Sequence, residues 1–235
     1  MLFTLTAINF TLTNSDTFRT IRKYSMLQLT NLKKVYGSRL ILDIPNLILP
    51  DGAHWIKGNN GSGKTSLMKI IAGINPFEGN VVLHGIDLVQ KPLEYRQLVS
   101  FAEAEPLFPG FLTGWDLIRF VQKTRNEKDY AIDTLVEYFG ILSFLPHAVG
   151  TYSSGMVKKL SLLLPFIGSV RLILLDEPLI TLEDSFLPKL FSLIKERQKQ
   201  GVSFILSSHQ PFQESQFIPT SKILIENQTA KFFNV

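Results

Sequence analysis

From Met26 onward, Leu27, Leu29 and Leu32 are interleaved with polar residues, and this pattern predicts a strand. A second strand is predicted over Leu40–Leu49, which is rich in Ile and Leu, and a short third over Gly52–Lys57. Residues Ser66 to Ala72 read as a helix, and Gly79 to Leu83 as a strand after the turn at Asn75–Gly79. Between Thr113 and Ser143 the period changes. Trp115, Ile118, Phe120 and Val121, then Ile132, Leu135, Val136 and Phe139, recur at helical spacing. This predicts an all-helical insertion with a charged linker from Lys123 to Asp129. A helix over about 153–167, a strand at 171–176, a helix at 183–199 and a strand at 202–207 follow. Two terminal strands are predicted near 221–225 and 229–233. Strands alternating with helices imply an α/β fold with a mostly parallel sheet and crossover connections.

The longest apolar run, Leu160 to Leu175, is interrupted by Pro165 and Arg171 and reads as a helix end followed by a strand. It is too broken for a membrane span, which needs about 18 or more apolar residues. The 235 residues suffice for a single α/β domain. There is no cysteine, hence no disulfide framework or thiolate metal site. The formal charge of +4 does not point to nucleic acid. Arg19, Arg22 and Lys23 against Asp16 supply half of it, and no basic run stands out. Residues 1–25 are rich in Thr, Asn and Phe and lack a cationic start or a continuous apolar stretch. They read as a disordered or non-native extension, with the folded domain at 26–235.

The candidate chemistry centres on Gly58-Asn59-Asn60-Gly61-Ser62-Gly63-Lys64-Thr65, which fits G-x-x-x-x-G-K-[ST] without a gap. The glycines let the backbone wrap closely enough for several N–H groups to point at one polyphosphate. Lys64 can reach the terminal phosphates, and the Thr65 hydroxyl can ligate Mg²⁺. Ser66 continues into the predicted helix, whose N-terminus favours an anion. A second site element is Leu172-Ile173-Leu174-Leu175-Asp176-Glu177, an apolar run ending in two acids. Buried parallel strands read this way, with functional groups at the carboxyl end. Asp176 is expected to hold Mg²⁺ through water, and Glu177 to orient or deprotonate an attacking water.

With these two motifs in this order, residues of about 26–230 resemble the ATP-binding cassette ATPases. The resemblance implies a phosphate-loop NTPase core, an N-terminal antiparallel β part and an α-helical subdomain inserted at about 105–160. It implies ATP and Mg²⁺ as cofactors. Tyr36 matches the aromatic that stacks on adenine, Ser153-Ser154-Gly155 the signature that covers a second subunit's γ-phosphate, and His209 the switch histidine. Two departures stand out. Ala104 occupies the place of a metal-ligating glutamine, with Glu103 or Glu105 as substitutes one residue away, and Glu183 replaces an aspartate before Asp184. The resemblance further implies a homo- or heterodimer of ATPase subunits and integral-membrane transporter subunits as partners. It places the chain peripherally at the cytoplasmic face, with no nucleic acid. The relaxed signature and Thr113-Gly114-Trp115 look more like export-type members. A degenerate regulatory cassette and a non-transport cassette ATPase are the competing readings.

Overall fold

The computed structural model describes residues 25–127, 129–209 and 217–234; all of the expected extension at 1–25 except Ser25 lies outside them. β1 (Leu27–Tyr36) and β2 (Arg39–Leu49) form an antiparallel hairpin, with Tyr36 opposite Arg39 and Leu27 opposite Leu49. Gly37 takes φ 58° in the two-residue turn, a conformation that costs glycine little. β4 (Glu78–Leu83) and the two-residue β5 (Ile86–Asp87) complete an antiparallel sheet in the order β2-β1-β4-β5.

The second sheet is built from β3 (Ala53–Lys57), β6 (Val99–Ala102), β7 (Leu172–Leu175), β8 (Ser203–Ser207), β9 (Ser221–Glu226) and β10 (Thr229–Asn234). Its order is β10-β9-β3-β8-β7-β6, parallel from β9 to β6, with β10 antiparallel at the edge. β7 and β8 are buried along their whole length, as central parallel strands must be. Their alternate residues feed two cores. Leu172, Leu174 and Ile205 pack with Leu27, Leu29, Ile44 and the helix α1 (Lys64–Ile71). Ile173, Leu175, Phe204 and Leu206 pack on the opposite face with Leu160, Leu190 and Ile194. That period of two lets one strand serve both layers.

The remaining helices are α2 (Pro92–Leu98), α3 (Gly114–Arg125), α4 (Asp129–Phe139), α5 (Ser154–Leu163) and α6 (Leu187–Lys199). α3, α4 and α5 lie between β6 and β7 in the chain and add Ile118, Ile132, Val136 and Leu160 to the second core. Thr113 caps α3 reciprocally: its hydroxyl accepts from Asp116 N, and the Asp116 carboxylate accepts from Thr113 N. The expected linker at 123–129 begins later than its charges suggest. α3 runs on to Arg125 because the guanidinium donates to the Arg96, Gln97 and Val99 carbonyls of the core.

α2 and β6 have no counterpart in the sequence reading. α2 buries only Tyr95, whose hydroxyl donates to Ile71 O, so no apolar stripe announces the helix. β6 has four residues and is defined by its partner β7 rather than by its own pattern.

His54 on β3 is fully buried. Its Nε2 donates to Pro50 O at 2.8 Å, which leaves Nδ1 to accept from Ser221 Oγ at 2.7 Å. Burial holds its pKa below the ordinary 6.5, against the pull of the Pro50 hydrogen bond and the Asp51 charge. The unfolded chain therefore binds a proton that the fold resists. Stability is expected to fall as pH drops below about 6.5 and to level off once folded His54 itself protonates. Unfolding midpoints measured between pH 8 and 5 should show a smaller fall in His54→Gln than in the wild type.

Candidate nucleotide site

β3 delivers the chain at Lys57 into the loop 58–63, and α1 starts at Lys64. Gly63 stands at the N-cap with φ 104°, where a Cβ would lie 2.9 Å from the Leu42 side chain. Gly58 passes so close to β9 that a Cβ would lie 2.7 Å from Ile225 O. With no capping side chain and no acid in the first turn, the N–H groups that begin α1 are left for an anion. Lys64 is buried, and its ammonium donates to Gly58 O at 2.8 Å and Asn59 O at 3.1 Å. Burial lowers its pKa, opposed by the charges of Glu177 and Asp176. Asn60, Gly61, Lys64, Thr65 and Ser66 line an open cavity of about 460 Å³.

Of the two acids after β7, Glu177 lines the same cavity, and Asp176 is buried behind Thr65. Thr65 Oγ1 donates to Asp176 Oδ2 at 2.7 Å. Ser207, at the end of β8, donates to Asp176 Oδ1 and accepts from Glu177 N at 2.9 Å. This buried hydroxyl fixes both acids at once. Glu177 takes φ 44°, a left-handed conformation rare for a residue with a side chain. His209 N donates to Glu177 Oε2 at 3.2 Å, and His209 Nε2 lies 3.1 Å from Oε1. That second contact lacks hydrogen-bond alignment, so the buried Oε1 has no hydrogen-bond partner among the described residues. An acceptor of this kind, in a cavity shared with Lys64 and His209, suits a water molecule.

Known proteins share part of this sequence and a similar fold. A family model described as ABC transporter matches residues 43–180. The chain belongs to the ABC transporter family. The lantibiotic transport ATP-binding protein SrtF of Streptococcus pyogenes is 30% identical over 186 residues, 78% of this chain and 80% of that protein. The spermidine/putrescine import ATP-binding protein PotA of Spiroplasma citri is 30% identical over 88% of this chain and 60% of its own length. A solved ATP-binding subunit of an ABC transporter superposes with a TM-score of 0.81 at 20% identity, covering 90% of each chain. A cassette in its ADP conformation gives 0.71 at 18%, over 90% of this chain and 91% of that one. This cassette is an ATP-binding and ATP-hydrolysing subunit that powers transport through separate membrane-spanning subunits. Among the described residues no helix is long and apolar enough to cross a membrane.

The cassette's other predicted residues divide. Ser153 caps α5, its hydroxyl accepting from Met156 N at 3.3 Å. Ser153 and Ser154 are exposed and, with Gly155, lie outside the phosphate cavity of their own chain. Gly155 approaches Thr181 O, itself at φ 66°. Glu183 pairs with Lys159 at 3.4 Å, and Asp184 opens a short 3₁₀ turn before α6. Ala104 and Glu105 line the cavity, whereas Glu103 turns away to an ion pair with Lys69 at 3.1 Å. Of the two expected substitutes, Glu105 lines the cavity and Glu103 does not. Tyr36 is not among the lining side chains either. Its hydroxyl accepts from Asn75 Nδ2, and the Lys34 ammonium sits 4.4 Å from its ring centroid.

Three further residues were not singled out by sequence. Arg39, the cross-strand partner of Tyr36, lines the cavity, and its side chain makes no hydrogen bond or ion pair with the described residues. Its place two residues beyond a glycine turn that follows Tyr36 is the signal that could have found it. Ser207 and Lys158 carry no such signal. Lys158 is 2% exposed and donates to the Glu103, Ala104 and Asp176 carbonyls. Burial pushes its pKa down to about 8, against the charges of Asp176, Glu177 and Glu105.

Proposed function

We propose that this cassette works as one half of an ATP sandwich, in a homo- or heterodimer bound peripherally to membrane subunits at the cytoplasmic face. The observation that carries this reading is the hydrogen-bonded series Thr65–Asp176–Ser207–Glu177–His209 around the Lys64 loop. The loop 58–63 and the start of α1 bind the polyphosphate through backbone N–H groups, and Lys64 exchanges the Gly58 and Asn59 carbonyls for phosphate oxygens. Tyr36 keeps one ring face for adenine opposite the Lys34 side, and Arg39 adds a cation at the cavity edge.

The hydroxyl of Thr65 and the carboxylate of Asp176 are hard oxygen donors of the kind Mg²⁺ takes, and Glu105 lines the cavity that Thr65 also lines. When bound, Mg²⁺ neutralises charge on the β- and γ-phosphates. Glu177 Oε1 accepts a proton from the attacking water, while the His209 and Ser207 contacts hold the carboxylate and its peptide. In a single subunit Ser153, Ser154 and the α5 N-terminus face solvent, which suits them to cover nucleotide held by a partner cassette. The relaxed signature supports the export-type branch.

The test is isolation of the tagged full chain from detergent-solubilised membranes. It should come as a complex with a polytopic subunit, and reconstitution of that complex should raise ATP turnover above that of the chain alone. A chain free of every membrane subunit, with the same turnover alone as in membranes, would overturn the reading.

A further inference from the structure

The loop that follows β6 meets the nucleotide cavity with a methyl group. Ala104 lines the cavity but has no side chain to bond a ligand or a neighbour. The handles left to the loop are its backbone carbonyls and its acids. Two cations from two different helices hold them. Lys69, on the helix that begins at the phosphate loop, binds the Glu103 carboxylate at 3.1 Å. Lys158, on the helix that begins at the signature, donates to Ala104 O at 3.0 Å and to Glu103 O and Asp176 O at 3.4 Å each.

Packing does not account for Lys158. Its helical neighbours Leu160, Leu162 and Leu163 are fully buried and apolar, and a methionine could fill the same channel. An ammonium is costly to bury unless its three donors are met. Here three carbonyls meet them, one at the strand end that carries Asp176 and Glu177 and two on the loop. The donors belong to α5, whose first turn is Ser154-Gly155-Met156.

We propose that Lys158 is a positioning residue that ties the loop at 103–105 and the carboxyl end of β7 to the signature helix. The proposal rests on the ATP-site reading above. Through this tether, a shift of the loop or of Asp176 on nucleotide binding moves the N-terminus of α5, the surface offered to a partner cassette. Lys69 holds the other side of the same loop to α1, so the loop connects the helix at the chain's own phosphate site to the helix that presents its signature.

The experiment compares the full-length wild type with Lys158→Met and Lys158→Arg, using amide hydrogen exchange and steady-state ATP turnover. In the wild type, ATP with Mg²⁺ should slow exchange at 58–66 and change it at 101–108 and 153–160. Lys158→Met should bind ATP with affinity within about threefold and keep the response at 58–66. It should lose the response at 153–160 and show kcat lowered at least tenfold with little change in KM. Lys158→Arg, which keeps a buried cation with donors, should recover part of both. A folded Lys158→Met with wild-type kcat and a wild-type response at 153–160 overturns the proposal. If Lys158→Met does not fold, Lys158→Gln, with a shorter donor, is read the same way, and wild-type values in both measurements overturn it. Equal turnover in wild type and Lys64→Ala would instead overturn the site reading itself.

Discussion

Glu177→Gln is expected to lower ATP turnover at least about a hundredfold while leaving ATP affinity within a few-fold. The amide has the shape of the carboxylate and leaves the Glu177 N–H to Ser207 bond untouched. It can still accept from His209 N, because that bond needs only an oxygen. What it loses is the basic Oε1, the buried atom without a hydrogen-bond partner among the described residues. A residue whose contribution is confined to proton transfer lowers kcat and spares binding. On the proposed sandwich mechanism, ATP that is not hydrolysed keeps the signature of a second subunit engaged. Saturating ATP should therefore shift the variant to a dimer in size-exclusion chromatography. A variant that remains monomeric under those conditions would remove the sandwich mechanism, and one with wild-type turnover would remove Glu177 as the base.

Lys64→Ala is expected to act earlier, on binding. A hydrogen bond to a charged group contributes about 1.5–3 kcal/mol, which corresponds to a loss of roughly tenfold to a hundredfold in ATP affinity. The variant also forfeits the closure of the loop, because Lys64 Nζ spans Gly58 O and Asn59 O. Calorimetric titration should show weaker binding of both ATP and ADP, with turnover at background. Undiminished ATP affinity would show that the N–H groups of the loop suffice and that Lys64 acts only on the chemical step. The two variants thus separate binding from catalysis within one cavity.

Much of the site was legible because its information is local. The spacing of Gly58, Gly61, Gly63, Lys64 and Thr65 encodes a backbone path followed by a helix, and the structure places α1 where that path ends. The apolar run ending in Asp176-Glu177 was readable because a strand buried on both faces has no polar alternation. α2 and β6 were not readable, since one buried tyrosine and a four-residue edge strand carry no period. The loop after β6 stayed open between two acids for a related reason. Glu103 and Glu105 are equal candidates in one dimension, and the turn of the chain sends one to Lys69 and the other to the cavity. Tyr36 and Arg39 show the same limit, because which of two cross-strand neighbours lines a cavity depends on the hairpin's placement against the second sheet.

The phosphate loop, the acids after β7, the alternation of strands and helices, and the helical insertion are all written in the order of residues. Each follows from the conformational preferences of neighbouring residues. Tertiary structure alone decided that Thr65 meets Asp176, that Ser207 holds both acids, and that Lys158 grips the loop beside Ala104. Those contacts depend on the strand order β3-β8-β7-β6 and on a register that sets Leu175 beside Leu206, and so Asp176 beside Ser207. Such a register is selected by the packing of the whole sheet between two cores, a sum over distant residues that no local pattern contains.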